Sequence, residues 1–110
     1  MSSLSTHVLD ATTGTPAIGL HVTLRRDAGP AGWVVLGEHH TDSDGRVRTL
    51  ADDLEPAVYQ LRFDTGGWFA ATGRTGFYPE VTVTFEVEEP RHYHVPLLLS
   101  PYAFSTYRGS

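Results

Sequence analysis

Six histidines and eight arginines, without a single cysteine or lysine, carry most of the chemistry open to this 110-residue chain. His92 and His94 are two residues apart, so on a strand both side chains point to one face. Such a pair could begin a zinc site if His7, His21, His39 or His40 supplied a further ligand. It could equally move a proton near neutrality, where imidazole titrates, or simply occupy the wet face of a half-buried strand. Ser5-Thr6-His7 sets hydroxyls beside another histidine. On a strand Thr6 points away from His7, whereas Ser5 could share its face. With no Gly-x-Ser-x-Gly elbow anywhere, the segment fits a base acting on water better than a serine nucleophile. Asp42-Ser43-Asp44-Gly45-Arg46 superficially resembles the start of a calcium loop. It lacks the further oxygen ligands and flanking helices of such loops, and is expected to be a hairpin turn that delivers Arg46 to the next strand.

These residues must be held by strands, because the apolar period is two wherever it can be read. Val81, Val83, Phe85 and Val87 alternate with Thr82, Thr84, Glu86 and Glu88, which predicts one buried and one wet face. Leu20 to Arg25, Val58 to Phe63 and His92 to Leu99 alternate in the same way. Turn chemistry separates the runs at Thr13-Gly14-Thr15-Pro16, Ala28-Gly29-Pro30, Leu54-Glu55-Pro56 and Glu88-Glu89-Pro90. The spacing predicts an all-β sandwich or barrel. One exception falls between glycines, where Trp68, Phe69, Ala70, Ala71 and Thr72 could form about two helical turns. Pro96 lacks an N–H, so its strand should bulge or lie at an edge there. Tyr102, Phe104, Tyr107 and Arg108 give the C-terminal segment an aromatic, hydrogen-bonding character, and a final strand is expected to run to the very terminus.

Composition removes other chemistries. Without Cys, Lys or Asn there are no disulfides, thiolate metal sites or cysteine nucleophiles, no lysine Schiff bases and no N-glycosylation. A net charge of −5 gives no basic footprint for nucleic acid. No apolar run approaches the roughly 18 residues of a membrane helix, and the first residues lack signal-peptide character. A cytoplasmic protein of one domain, residues 1–110, with no nucleic-acid or membrane partner, is expected.

Four segments in order resemble the 5-hydroxyisourate hydrolase family, the transthyretin-like enzymes of urate breakdown. They are Ser5-Thr6-His7-Val8-Leu9-Asp10, Thr41-Asp42-Ser43-Asp44-Gly45-Arg46, His92-Tyr93-His94-Val95-Pro96-Leu97-Leu98-Leu99-Ser100-Pro101-Tyr102 and Tyr107-Arg108-Gly109-Ser110. The resemblance spans nearly the whole chain. It implies a transthyretin-like β-sandwich of two four-stranded sheets with one short helix, assembled as a homotetramer, a dimer of dimers with sites in a channel between dimers. It also implies hydrolytic opening of the lactam ring of 5-hydroxyisourate, with no metal or other cofactor. The family's catalytic positions match His7, Arg46, His94 and Ser110, and Tyr107 joins His7 and Arg46 in holding substrate. His92, Arg108 and Gly109 stand behind them. Transthyretin shares the architecture but lacks this histidine pair and tail, so fold alone does not decide between enzyme and small-molecule carrier.

Overall fold

The computed structural model describes all 110 residues. In chain order the elements are β1 (Ser2–Asp10), β2 (Thr15–Pro16), β3 (His21–Asp27), β4 (Trp33–His40), β5 (Arg46–Leu54), β6 (Ala57–Phe63), α1 (Thr65–Ala71), β7 (Val81–Val87), β8 (His92–Ser100) and β9 (Ala103–Thr106), with a short 3-10 turn at Gly29–Ala31. One sheet has the order β4-β3-β6-β7. The other runs β2-β1-β8-β9, with β5 also paired to β1. The expectation of two four-stranded sheets is thus met by the first and exceeded by the second. The extra strand, β2, is only two residues long and pairs Leu9 and Asp10 of β1. The longer β5 takes the remainder of that edge, from Ser2 to His7. No helix is long and apolar enough to cross a membrane.

Alternation in the sequence becomes a two-sided packing pattern. Leu4 and Val8 of β1, Leu61 and Phe63 of β6 and Leu97 and Leu99 of β8 point inward and are at most 1% exposed. The intervening Ser3, Ser5 and His7 of β1, and His92, His94 and Pro96 of β8, take the outer face of their sheet. Helix α1 starts at Asp64, whose carboxylate accepts from Gly67 N at 3.2 Å, a cap that satisfies an otherwise orphaned donor. The helix buries Trp68 and Phe69. Arg74 then lies 5.2 Å over both rings and bonds the buried Asp10 carboxylate at 2.7 Å, tying the helix to the end of β1.

Three local expectations are corrected. The Asp42–Arg46 segment is not a hairpin, because it joins β4 of one sheet to β5 of the other. Pro96 makes no bulge. Its carbonyl accepts from Thr106 Oγ1 at 2.7 Å, so its missing N–H falls on the side where the β9 ladder has just ended at Leu97↔Thr106. The strand β9 also stops at Thr106 rather than at the terminus, but pairing resumes in the same register at His94↔Gly109. Proline explains the gap, since a residue without a donor cannot continue the ladder opposite Tyr107.

Candidate active site

Strand β1 is the axis of the site. Its outward row, Ser3, Ser5 and His7, is flanked on one side by antiparallel β5, where His7 pairs with Arg46. On the other side lies parallel β8, where Ser3 pairs with His92, Ser5 with His94 and His7 with Pro96. His7, Arg46 and His94, drawn from the start, the middle and the end of the chain, therefore become neighbours on one sheet face. All three are half-buried.

Arg46 is delivered by the Asp42 turn. Asp42 Oδ1 accepts from the backbone N–H of Asp44 and of Arg46, both at 2.9 Å. These bonds, that to Arg46 first, hold the Asp42 carboxyl below its usual range even against the desolvation that opposes them. Gly45 is required at the bend. Its φ is +73°, and a Cβ there would sit 2.5 Å from the Val8 carbonyl oxygen. Nearby, the buried Thr41 hydroxyl donates to Ala17 O at 2.6 Å and accepts from Leu20 N at 2.8 Å, fixing the approach to the turn.

His94 is held from two directions. Ser5 Oγ lies 2.8 Å from its Nδ1, which leaves Nε2 uncommitted. Gly109 N donates to the His94 carbonyl at 2.8 Å, and a Cβ on Gly109 would come within 2.5 Å of the His94 ring. Burial first, then the charges of Arg46, His7 and His92, hold the His94 imidazole below the ordinary histidine value, with the Ser5 backbone working the other way. The ring is accordingly unprotonated at neutral pH, with a nitrogen open to accept a proton, the state a general base needs. Thr6, by contrast, points inward and donates to Val95 O at 2.6 Å, so its hydroxyl is committed.

The other residues singled out from sequence are placed as follows. His92 is exposed, with Nδ1 2.6 Å from Ser3 Oγ and Nε2 2.8 Å from Ser5 Oγ. Gly109 is buried against His94, and Ser110 follows it at the exposed end. Tyr107 and Arg108 border an apolar groove of about 350 Å³ with Val83, Phe85, Tyr93 and Val95, and Tyr107 is 59% exposed. None of the four cavities of the single chain is lined by His7, Arg46 or His94; their face is open. His21 and His40 pack elsewhere as a tilted pair, ring centroids 5.0 Å apart, at the start of β3 and the end of β4. Sequence reasoning had related Ser5 to His7 and not to the β8 histidines. The period-two row Ser3, Ser5, His7 was the available signal, but its partner strand was not legible.

A model of the HIUase/Transthyretin family matches residues 4–109. The 5-hydroxyisourate hydrolase of Salmonella typhimurium is 44% identical over 110 residues, covering 97% of this chain and 80% of that protein. The structure of Klebsiella pneumoniae 5-hydroxyisourate hydrolase superposes with a TM-score of 0.90 at 40% identity, over the full length of both chains. Sea bream transthyretin in complex with thyroxine gives 0.91 at 30% identity, over 96% of this chain and 93% of that one. With a match this long, in sequence and in fold, the chain belongs to the HIUase/Transthyretin family.

Proposed function

We propose that this protein hydrolyses 5-hydroxyisourate, opening its lactam ring to 2-oxo-4-hydroxy-4-carboxy-5-ureidoimidazoline. The observation that carries the reading is the meeting of His7, Arg46 and His94 on one outer sheet face, with His94 neutral and its Nε2 free. A water held between the two imidazoles loses a proton to His94 Nε2 as its oxygen bonds to the lactam carbonyl carbon. The ring C–N bond then breaks, and the departing nitrogen takes up a proton. Arg46 offers a planar fork of donors to the carbonyl and ring-nitrogen acceptors and offsets the developing oxyanion. General-base assistance of this kind is worth on the order of 100 to 10,000-fold. No step calls for a metal.

The openness of the face supports a site completed by assembly. In a homotetramer built as a dimer of dimers, two such faces would enclose a channel, and Tyr107 and Ser110 would close it over the substrate. A carrier of the same fold is the competing reading. The histidine pair and the Tyr107–Ser110 tail favour hydrolysis, because binding alone needs no proton acceptor beside a guanidinium. Purified protein mixed with freshly generated 5-hydroxyisourate should accelerate its ultraviolet decay, equally before and after a chelator. His7→Ala or His94→Ala should lower the rate at least about 100-fold with the fold intact. Saturable binding without acceleration would establish the carrier, and chelator-sensitive decay would bring a metal back.

A further inference from the structure

Four side chains form one continuous hydrogen-bonded row that leads from the site to solvent. Ser3 Oγ lies 2.6 Å from His92 Nδ1, His92 Nε2 lies 2.8 Å from Ser5 Oγ, and the same Ser5 Oγ lies 2.8 Å from His94 Nδ1. Ser5 is only 9% exposed, whereas His92 at the outer end of the row is exposed. The pairing register Ser3↔His92 and Ser5↔His94 between β1 and β8 produces the alternation.

The row has few allowed proton arrangements. A serine hydroxyl has one proton, and a neutral imidazole has one N–H and one bare nitrogen. Ser5 touches two imidazole nitrogens, so when it donates to one it must accept from the other. In one arrangement His94 Nδ1–H donates to Ser5, Ser5 donates to His92 Nε2, and His92 Nδ1–H donates to Ser3; His94 Nε2 is then a bare acceptor. In the other, every bond is reversed and His94 Nε2 carries a proton.

We infer that Ser5 and His92 are positioning residues for the hydrolysis, forming a relay that sets the tautomer of His94 and carries its surplus proton to solvent. The inference rests on the hydrolase reading above. When His94 Nε2 takes a proton from water, Nδ1–H passes its proton to Ser5 Oγ, and the Ser5 proton moves to His92 Nε2. His92 then releases Nδ1–H to solvent, and Ser3 turns to donate to the vacated nitrogen. One proton enters at Nε2, one leaves from His92, and His94 ends neutral with Nε2–H. As that proton passes to the departing ring nitrogen the row runs in reverse: His92 takes a proton from solvent at Nδ1, Ser5 takes the Nε2 proton of His92, and His94 Nδ1 regains its proton from Ser5, so the ring stays neutral.

The surroundings explain why charge is better held outside. Arg46 on β5, His7 on β1 and His92 on β8 all oppose a positive charge on His94, as does its partial burial, and the tail residue packed on the ring, Gly109, brings no charge to offset it. At His92 an imidazolium is bathed in water.

The test combines histidine nitrogen chemical shifts, read on ¹⁵N-labelled protein, with the ultraviolet assay. Wild type at neutral pH should show His94 protonated at Nδ1. Ser5→Ala should move His94 toward the Nε2–H form and lower kcat about 10 to 100-fold with KM within about twofold, and Ser5→Thr should restore both. His92→Phe, at an exposed position that leaves the core untouched, should shift the tautomer the same way, because Ser5 is then free to donate to His94. Unchanged His94 shifts in Ser5→Ala and His92→Phe overturn the relay whatever the activity. Shifts that respond as expected in a protein that does not accelerate the decay would leave the relay standing and remove the hydrolase reading.

Discussion

Replacing Gly109 by alanine tests whether the C-terminal segment sets the position of His94. The added Cβ would lie 2.5 Å from His94 Cδ2, 3.2 Å from Cγ and 3.3 Å from Cβ. Comfortable carbon contacts are about 3.5–4.0 Å, so a displacement of about 1 Å is needed. The ring cannot turn away freely, because Ser5 holds Nδ1 at 2.8 Å. Either the ring swings and loses that bond, or the tail lifts and loses the 2.8 Å bond from Gly109 N to His94 O. A 1 Å misplacement of a reacting group costs on the order of 100-fold in rate, and we expect kcat/KM to fall by about that factor. Gly109 is buried but sits next to the chain end, and what is lost is one hydrogen bond, so stability should fall by only about 1 kcal/mol. Ultraviolet decay of 5-hydroxyisourate and thermal unfolding, measured on the same preparations, separate the two effects. Gly109→Ala with wild-type kcat/KM would refute the argument that the tail fixes the His94 ring.

Three further outcomes are expected. Removing the Arg46 charge, as Arg46→Ala, should raise the His94 pKa toward the ordinary 6.5 without fully reaching it, because burial is the larger cause; a histidine NMR titration reads this even where turnover is lost, and a fall or no change would contradict the charge repulsion assigned to Arg46. Gly45→Ala combines a positive φ with a collision against the Val8 carbonyl, and should destabilise by at least ~2 kcal/mol, lowering Tm by about 10 °C or more. Arg74→Ala should cost about 2–3 kcal/mol at pH 7, less than a fully enclosed pair because Arg74 is 30% exposed. Burial raises the Asp10 pKa, but Arg74 and the loop N–H groups outweigh it and leave it below 3.8. The Asp10 contribution is therefore complete above that value and lost as pH falls through the depressed native pKa, so denaturant midpoints of wild type and Arg74→Ala should converge below about pH 4.

The sequence by itself determined the strand periods and the helix candidate, and through the family resemblance it offered His7, Arg46 and His94 as candidates. The physical reason is that alternation over seven residues, as in Val81–Val87, is a local property of a half-buried strand, and α1 is punctuated by its own glycines. Trp33 to Leu36 was illegible for the opposite reason: four consecutive apolar residues on β4 are all exposed and show no alternation. Register was not local either. That His7 would sit opposite Arg46, and Ser5 opposite His94, depends on β1 being gripped between antiparallel β5 and parallel β8, segments separated by most of the chain. Only the tertiary structure decided that a serine read beside His7 instead joins two histidines on another strand, and that Pro96 interrupts the terminal ladder just where Gly109 must return to meet His94.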